Sequence, residues 1–126
     1  MKRTTSGLVL AALLLSLISI VSMAQEEPLE NTLRWTTASE VDNFGFDIYS
    51  STSEDGQFAL LNEKPLLGKG TSDVPTDYAY VDTTIEEGVV YYYFVESIAM
   101  DGTRERFTPI MKSPAKYKPG NEPDDG

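Results

Sequence analysis

The sequence predicts an all-β protein, an antiparallel sandwich of six to seven strands. Three observations point there. From Thr32 onward apolar and polar residues alternate with period two, and no helical period is sustained. Six strand-like runs follow one another at short spacing with turn chemistry between them. The longest, Val89 to Met100, is long enough at ~3.3 Å per residue to run the length of a sandwich.

Thr32 to Ala38 sets Leu33, Trp35 and Thr37 against Thr32, Arg34 and Thr36, a strand with one buried face. Phe44 to Thr52 is a second, with Phe46 and Ile48 on one side and Asp47 and Tyr49 on the other. Ser53-Glu54-Asp55-Gly56 is a turn, and Phe58 to Asn62 a short third strand closing a hairpin. Two prolines and two glycines between Pro65 and Pro75 predict a long inter-sheet connection. Tyr78 to Asp82 is the fourth strand. Glu86-Glu87-Gly88 turns into the long fifth strand, and Asp101-Gly102 makes a hairpin with a closing strand, Arg104 to Met111. Residues 112–126, rich in Pro, Gly and charge, predict a disordered acidic tail.

The first 24 residues read as an export signal. Lys2 and Arg3 precede an apolar run from Leu8 to Val21, and Ser22-Met23-Ala24 offers small residues for cleavage. The run is shorter than the ~20 residues a membrane span needs. Cleavage leaves 102 of the 126 residues, and takes the net charge from −10 to −12. The domain organisation is then a leader at 1–24, a short polar segment at 25–31, one sandwich at 32–111 and the tail. The expected location is secreted or periplasmic, with no membrane contact after cleavage. So acidic a surface repels phosphate backbones, so nucleic acid is not an expected partner.

Missing residue types narrow the chemistry further. With no His and no Cys, neither a Ser–His nor a Cys–His nucleophile pair can be built, nor a zinc site of nitrogen and sulfur ligands. Glu40 and Asp42 are a carboxylate pair, but they sit in an expected turn whose hydrogen bonds account for them. No Asp-x-Asp-x-Asp-Gly type calcium loop is present. The expectation is a protein without enzymatic activity and without cofactor or metal.

Several segments resemble the fibronectin type III superfamily, in the variant common in bacterial secreted and surface proteins. They are Leu33 to Glu40, Asn43 to Tyr49, Tyr78 to Asp82, Gly88 to Glu96 and Asp101-Gly102, in the family's order. The resemblance implies an immunoglobulin-like sandwich with Trp35 at the centre of its core. It implies that Tyr91 is a corner tyrosine, its hydroxyl tied to a neighbouring loop. With Tyr91 inward, Tyr93 and Val95 join Phe46 and Ile48 as structural core. Two departures stand out: Ser50 occupies the place of an arginine common in the bacterial variant, and residues 25–31 are too polar for a convincing first strand. A missing first strand leaves a sheet edge unpaired, a template for another chain.

Period two then turns Tyr92 and Phe94 outward, with Tyr49 beside them on the neighbouring strand. These three are the candidate binding surface, with Arg104 or Arg106 laid across the rings. Gly45 is expected to let its strand twist or to pack on Trp35. The expected function is that of a non-enzymatic exported module mediating protein–protein adhesion or assembly. The alternative is a carbohydrate-binding module acting beside secreted glycan-degrading enzymes, its rings stacking on sugars.

Overall fold

A computed structural model describes residues 27–125. The expected leader lies outside the described residues. Among those described there is no helix, and so none long and apolar enough to cross a membrane. The chain forms β1 (Asn31–Thr37), β2 (Glu40–Ser51), β3 (Ala59–Leu60), β4 (Leu66–Ser72), β5 (Thr76–Asp82), β6 (Tyr91–Ala99), β7 (Arg104–Arg106) and β8 (Met111–Ser113). The expected all-β antiparallel architecture is the one observed.

β1 and β5 pair as a two-stranded sheet, from Asn31 opposite Asp82 to Thr37 opposite Thr76. The second sheet has β2 and β6 at its centre, paired from Asn43 with Ala99 to Ser51 with Tyr92. β3 and β4 lie end to end along the free side of β2, and β7 and β8 end to end along the free side of β6. The sandwich is thus two strands facing four rows.

Alternation explains the core. Leu33 and Trp35 from the small sheet meet Phe46, Ile48, Tyr93 and Val95 from the large one, all buried. Trp35 lies edge-on to Phe46 at 5.5 Å and stacks on Tyr78 at 5.7 Å. Tyr91 is half-buried at the margin of this cluster, and its hydroxyl accepts the Glu86 backbone N–H at 2.8 Å. This is the loop tie expected of a corner tyrosine. Each expected core residue therefore lies in or against the core.

Besides shifts at strand ends, the largest being the start of β2 at Glu40 where Phe44 was expected, the strands differ from expectation at three places, each with a physical cause. The segment read as a connection between Pro65 and Pro75 contains β4, which β2 pairs from Glu40 to Phe46. Gly45 permits this approach, since a Cβ there would lie 2.3 Å from the Leu66 carbonyl oxygen. Its small size thus serves the contact with β4. The third strand shrinks to Ala59–Leu60, because the Asn62 side chain takes over the next ladder positions. It accepts the Ile48 N–H at 2.8 Å and donates to the Phe46 carbonyl at 3.3 Å. The closing strand splits in two at Thr108-Pro109, where proline has no N–H to give. At the break the Val95 carbonyl accepts the Phe107 N–H at 2.8 Å, and Thr108 Oγ1 accepts the Val95 N–H at 2.9 Å.

β8 carries the ladder to Ser113, into the segment expected as tail. Beyond it the Lys116 carbonyl accepts the Gly88 N–H, and Lys116 Nζ donates to the Glu30 carbonyl.

Two polar clusters seal the space between the sheets. Glu40 follows a connection of only Ala38 and Ser39, and its buried carboxylate accepts from Thr37 Oγ1, Asn43 Nδ2, the Lys69 N–H and Tyr78 hydroxyl. One side chain thereby joins β1, β2, β4 and β5. Burial pushes this carboxyl up, yet the four donors together hold it below the ordinary glutamate value. At the opposite end of β1, Tyr93 donates to Asp82 at 2.7 Å and accepts from Asn31 at 2.8 Å.

Candidate functional site

The outward face of β2 and β6 holds the residues singled out as a binding surface. Register sets Tyr49 directly opposite Phe94, and their rings stack at 4.9 Å with an interplanar angle of 13°. Cross-strand aromatic pairs of this kind add stability beyond the area they bury. Phe58, from the turn before β3, tilts onto Phe94 at 5.0 Å. Arg106 on β7 places its guanidinium carbon 4.2 Å from the centre of the Phe94 ring. Since β6 lies between β2 and β7, Tyr49 and Arg106 approach Phe94 from opposite flanks. Phe94 is only 8% exposed.

Tyr92 sits further along β6, half-buried between Ser51 of β2 and Lys112 of β8. The structure thus brings Tyr49 and Phe94 into one stack and sets Tyr92 on the same strand two positions away.

A charged group borders the stack. Arg104 Nη1 donates to Asp47 at 2.7 Å and to Glu96 at 2.8 Å, and Tyr49 donates to Glu96 at 3.2 Å. Burial pushes the Tyr49 hydroxyl up, and the adjoining Glu96 carboxylate adds to this. Asp47 is itself buried and also accepts from Asn62. Of the two arginines considered for the rings, Arg106 is the one that caps Phe94, while Arg104 pairs with the carboxylates.

The polar end of the sandwich differs from the candidate pair read in sequence. Both stand in β2 and not in the expected turn: Glu40 is buried in its four hydrogen bonds, whereas Asp42 is exposed, left-handed at φ 48° where the β2 register shifts, and bonds Thr71 instead. The two carboxylates serve different strands. A cavity of about 150 Å³ beside them is lined in part by Glu40, Val41, Ser97 and Phe107. Among the described residues no group of three His, Cys, Asp or Glu is placed to hold a metal ion.

The remaining candidate is an edge. Among the described residues β1 pairs with β5 alone, and no strand lies along its other side. Between that side and β8 lies a cavity of about 130 Å³ lined by Asn31 to Arg34, Tyr93 and Met111 to Ser113. Asn31 is 2% exposed, and its Oδ1 has no hydrogen-bond partner. Nothing in the sequence pointed to the orphaned amide oxygen.

With this geometry in view, comparison with known proteins adds one relationship. Over 84 residues the chain is 34% identical to an amylopullulanase of Thermoanaerobacter thermohydrosulfuricus. The aligned region takes up 66% of this chain and 5% of that enzyme. The likeness is to a small segment only. No protein-family model matches the chain. No solved structure matches it.

Proposed function

We propose that this chain is a non-catalytic, exported module of the fibronectin type III kind that works through protein–protein contact, holding partners together outside the cytoplasm. Support for the family reading comes from the central Trp35, the Tyr91–Glu86 tie and the strand order. The amylopullulanase relationship, confined to a twentieth of that enzyme, fits an accessory segment better than a catalytic one. It is also compatible with a module that works beside glycan-degrading enzymes.

The observation that carries protein contact over sugar contact is the state of the rings. A carbohydrate platform needs an aromatic face open to solvent. Here Phe94 is closed on one flank by Tyr49 and on the other by Arg106. The carbohydrate-binding alternative is favoured by the amylopullulanase likeness and by the Asp47, Glu96 and Arg104 groups beside Tyr49. Affinity electrophoresis through gels containing pullulan or amylose separates the two readings. Unretarded migration is the expected result. Retardation that Tyr49→Ala removes would move the function to glycan binding. Phe94→Ala serves as the companion variant: because the ring is packed, it should cost about 3–5 kcal/mol of folding stability. A stability change below about 1 kcal/mol would show the ring to be free for a ligand.

A further inference from the structure

We infer that the open edge of β1 is a docking groove for an extended, acidic segment of another protein, which adds to the small sheet as a third strand. This rests on the protein-contact reading and names its partner chemistry. The edge is a row of backbone donors and acceptors without a neighbouring strand, and extended peptides are bound this way elsewhere in sheet proteins. Two further observations make this edge a site and not merely a boundary. Asn31 is almost fully buried beside the groove, with Oδ1 unpartnered. Its orientation is fixed, because Tyr93 gives its proton to Asp82 and so needs Asn31 Nδ2 as donor. A buried acceptor left without a donor costs free energy that an incoming N–H would recover.

The second observation is charge. In a chain with twice as many acidic as basic residues, Arg34 and Lys112 both line this groove, and both are exposed. The groove thus carries two exposed cations on an otherwise acidic protein, which favours acidic side chains over it.

Other occupants fit less well. The described residues just ahead of β1 lie away from the groove, since Pro28 and Leu29 line a different cavity with Thr83, Ile85 and Glu86. The chain beyond β8 runs past Glu87 and Gly88. A second copy pairing β1 with β1 about a two-fold axis at the strand's midpoint would set Arg34 against Arg34.

The test is an amide NMR titration with three capped seven-residue peptides: valine alternating with glutamate, valine alternating with lysine, and the glutamate peptide with a central proline. The glutamate peptide should shift amides of residues 31–37 and 111–113. The lysine and proline peptides should bind at least about tenfold more weakly, and Arg34→Glu with Lys112→Glu should weaken the glutamate peptide about tenfold. Both substitutions are at exposed positions, and unchanged thermal melting verifies their folds. Equal binding of the three peptides, shifts confined to β7, or no shift in β1 at millimolar glutamate peptide would overturn the proposal. So would sedimentation of the unliganded protein as a dimer with protected β1 amides. Partner assembly that survives both charge reversals would leave protein contact standing and remove this edge from it.

Discussion

Replacing Tyr93 by phenylalanine tests the buried cluster at the Asn31 end of the sandwich. The substitution keeps the ring, which is 1% exposed in the core, and removes one oxygen. That oxygen donates to Asp82 Oδ2 at 2.7 Å and accepts from Asn31 Nδ2 at 2.8 Å. Thr84 still bonds the other Asp82 oxygen, at 2.9 Å through its N–H and 2.6 Å through its hydroxyl. The variant therefore strands one carboxylate oxygen and one amide donor, both on residues 2% exposed. Each stranded group costs about 1–3 kcal/mol, so the pair should lose about 2–6 kcal/mol. For a domain near 100 residues a loss of 3 kcal/mol lowers the melting temperature by roughly 12–24 °C. Urea unfolding followed by the fluorescence of the single tryptophan, Trp35, reads the loss directly. The midpoint should fall with an unchanged slope. Tyr91→Phe, which frees only the Glu86 N–H of an exposed loop, should cost about 0.5–1.5 kcal/mol. If Tyr93→Phe costs no more than that control, water has reached the cluster and the sealed network is refuted.

Further outcomes follow from the same contacts. Because hydrogen bonds hold the Glu40 carboxyl below its ordinary value, its contribution to stability is complete above about pH 4.5. It is lost as pH falls through the lowered value in the folded protein. Glu40→Gln should flatten the decline in urea midpoint between pH 5 and 3, and an equal decline in both proteins would refute the role given to Glu40. On the alkaline side burial, then the bond to Glu40, pushes the Tyr78 hydroxyl to about 12. The folded protein keeps that proton longer than the unfolded chain, so stability should fall as pH rises from 10 through 12, less so in Tyr78→Phe. Gly45→Ala should cost more than about 1 kcal/mol through displacement of β4, with amide protection lost over residues 66–72; unchanged exchange there would contradict the close approach to Leu66.

What the sequence disclosed, and what it withheld, divides along the range of the interactions. β1, β2, β5 and β6 were legible because one buried face writes itself as period two in neighbouring residues. The core of Trp35, Phe46, Ile48, Tyr93 and Val95 followed from the same rule. β4 was hidden because its partner is a glycine 22 residues earlier, and Pro65, Gly68 and Gly70 read locally as a loop. Asn62 could not be foreseen as a substitute rung, since its partners lie on β2. At the outward face, alternation gave the identity of Tyr49 and Phe94, and one of Arg104 and Arg106 was expected over them; Arg106 is the one. The degree of closure was not readable, because it depends on the register of β7 against β6. Glu40 shows the limit most plainly. In sequence it is one acid of a turn, while in space its donors come from residues as distant as Tyr78.

The Glu30–Lys116 bond has an implication for how the sandwich would sit among neighbours. The polypeptide enters β1 and departs beyond β8 at a single pole, with Lys116 reaching across to the Glu30 carbonyl. Sequences joined on either side would emerge close together, so the body would project sideways from its surroundings like a knob on a stalk. Such a placement adds almost nothing to the distance between flanking units, but it presents the far turns and both flanks to solution at once.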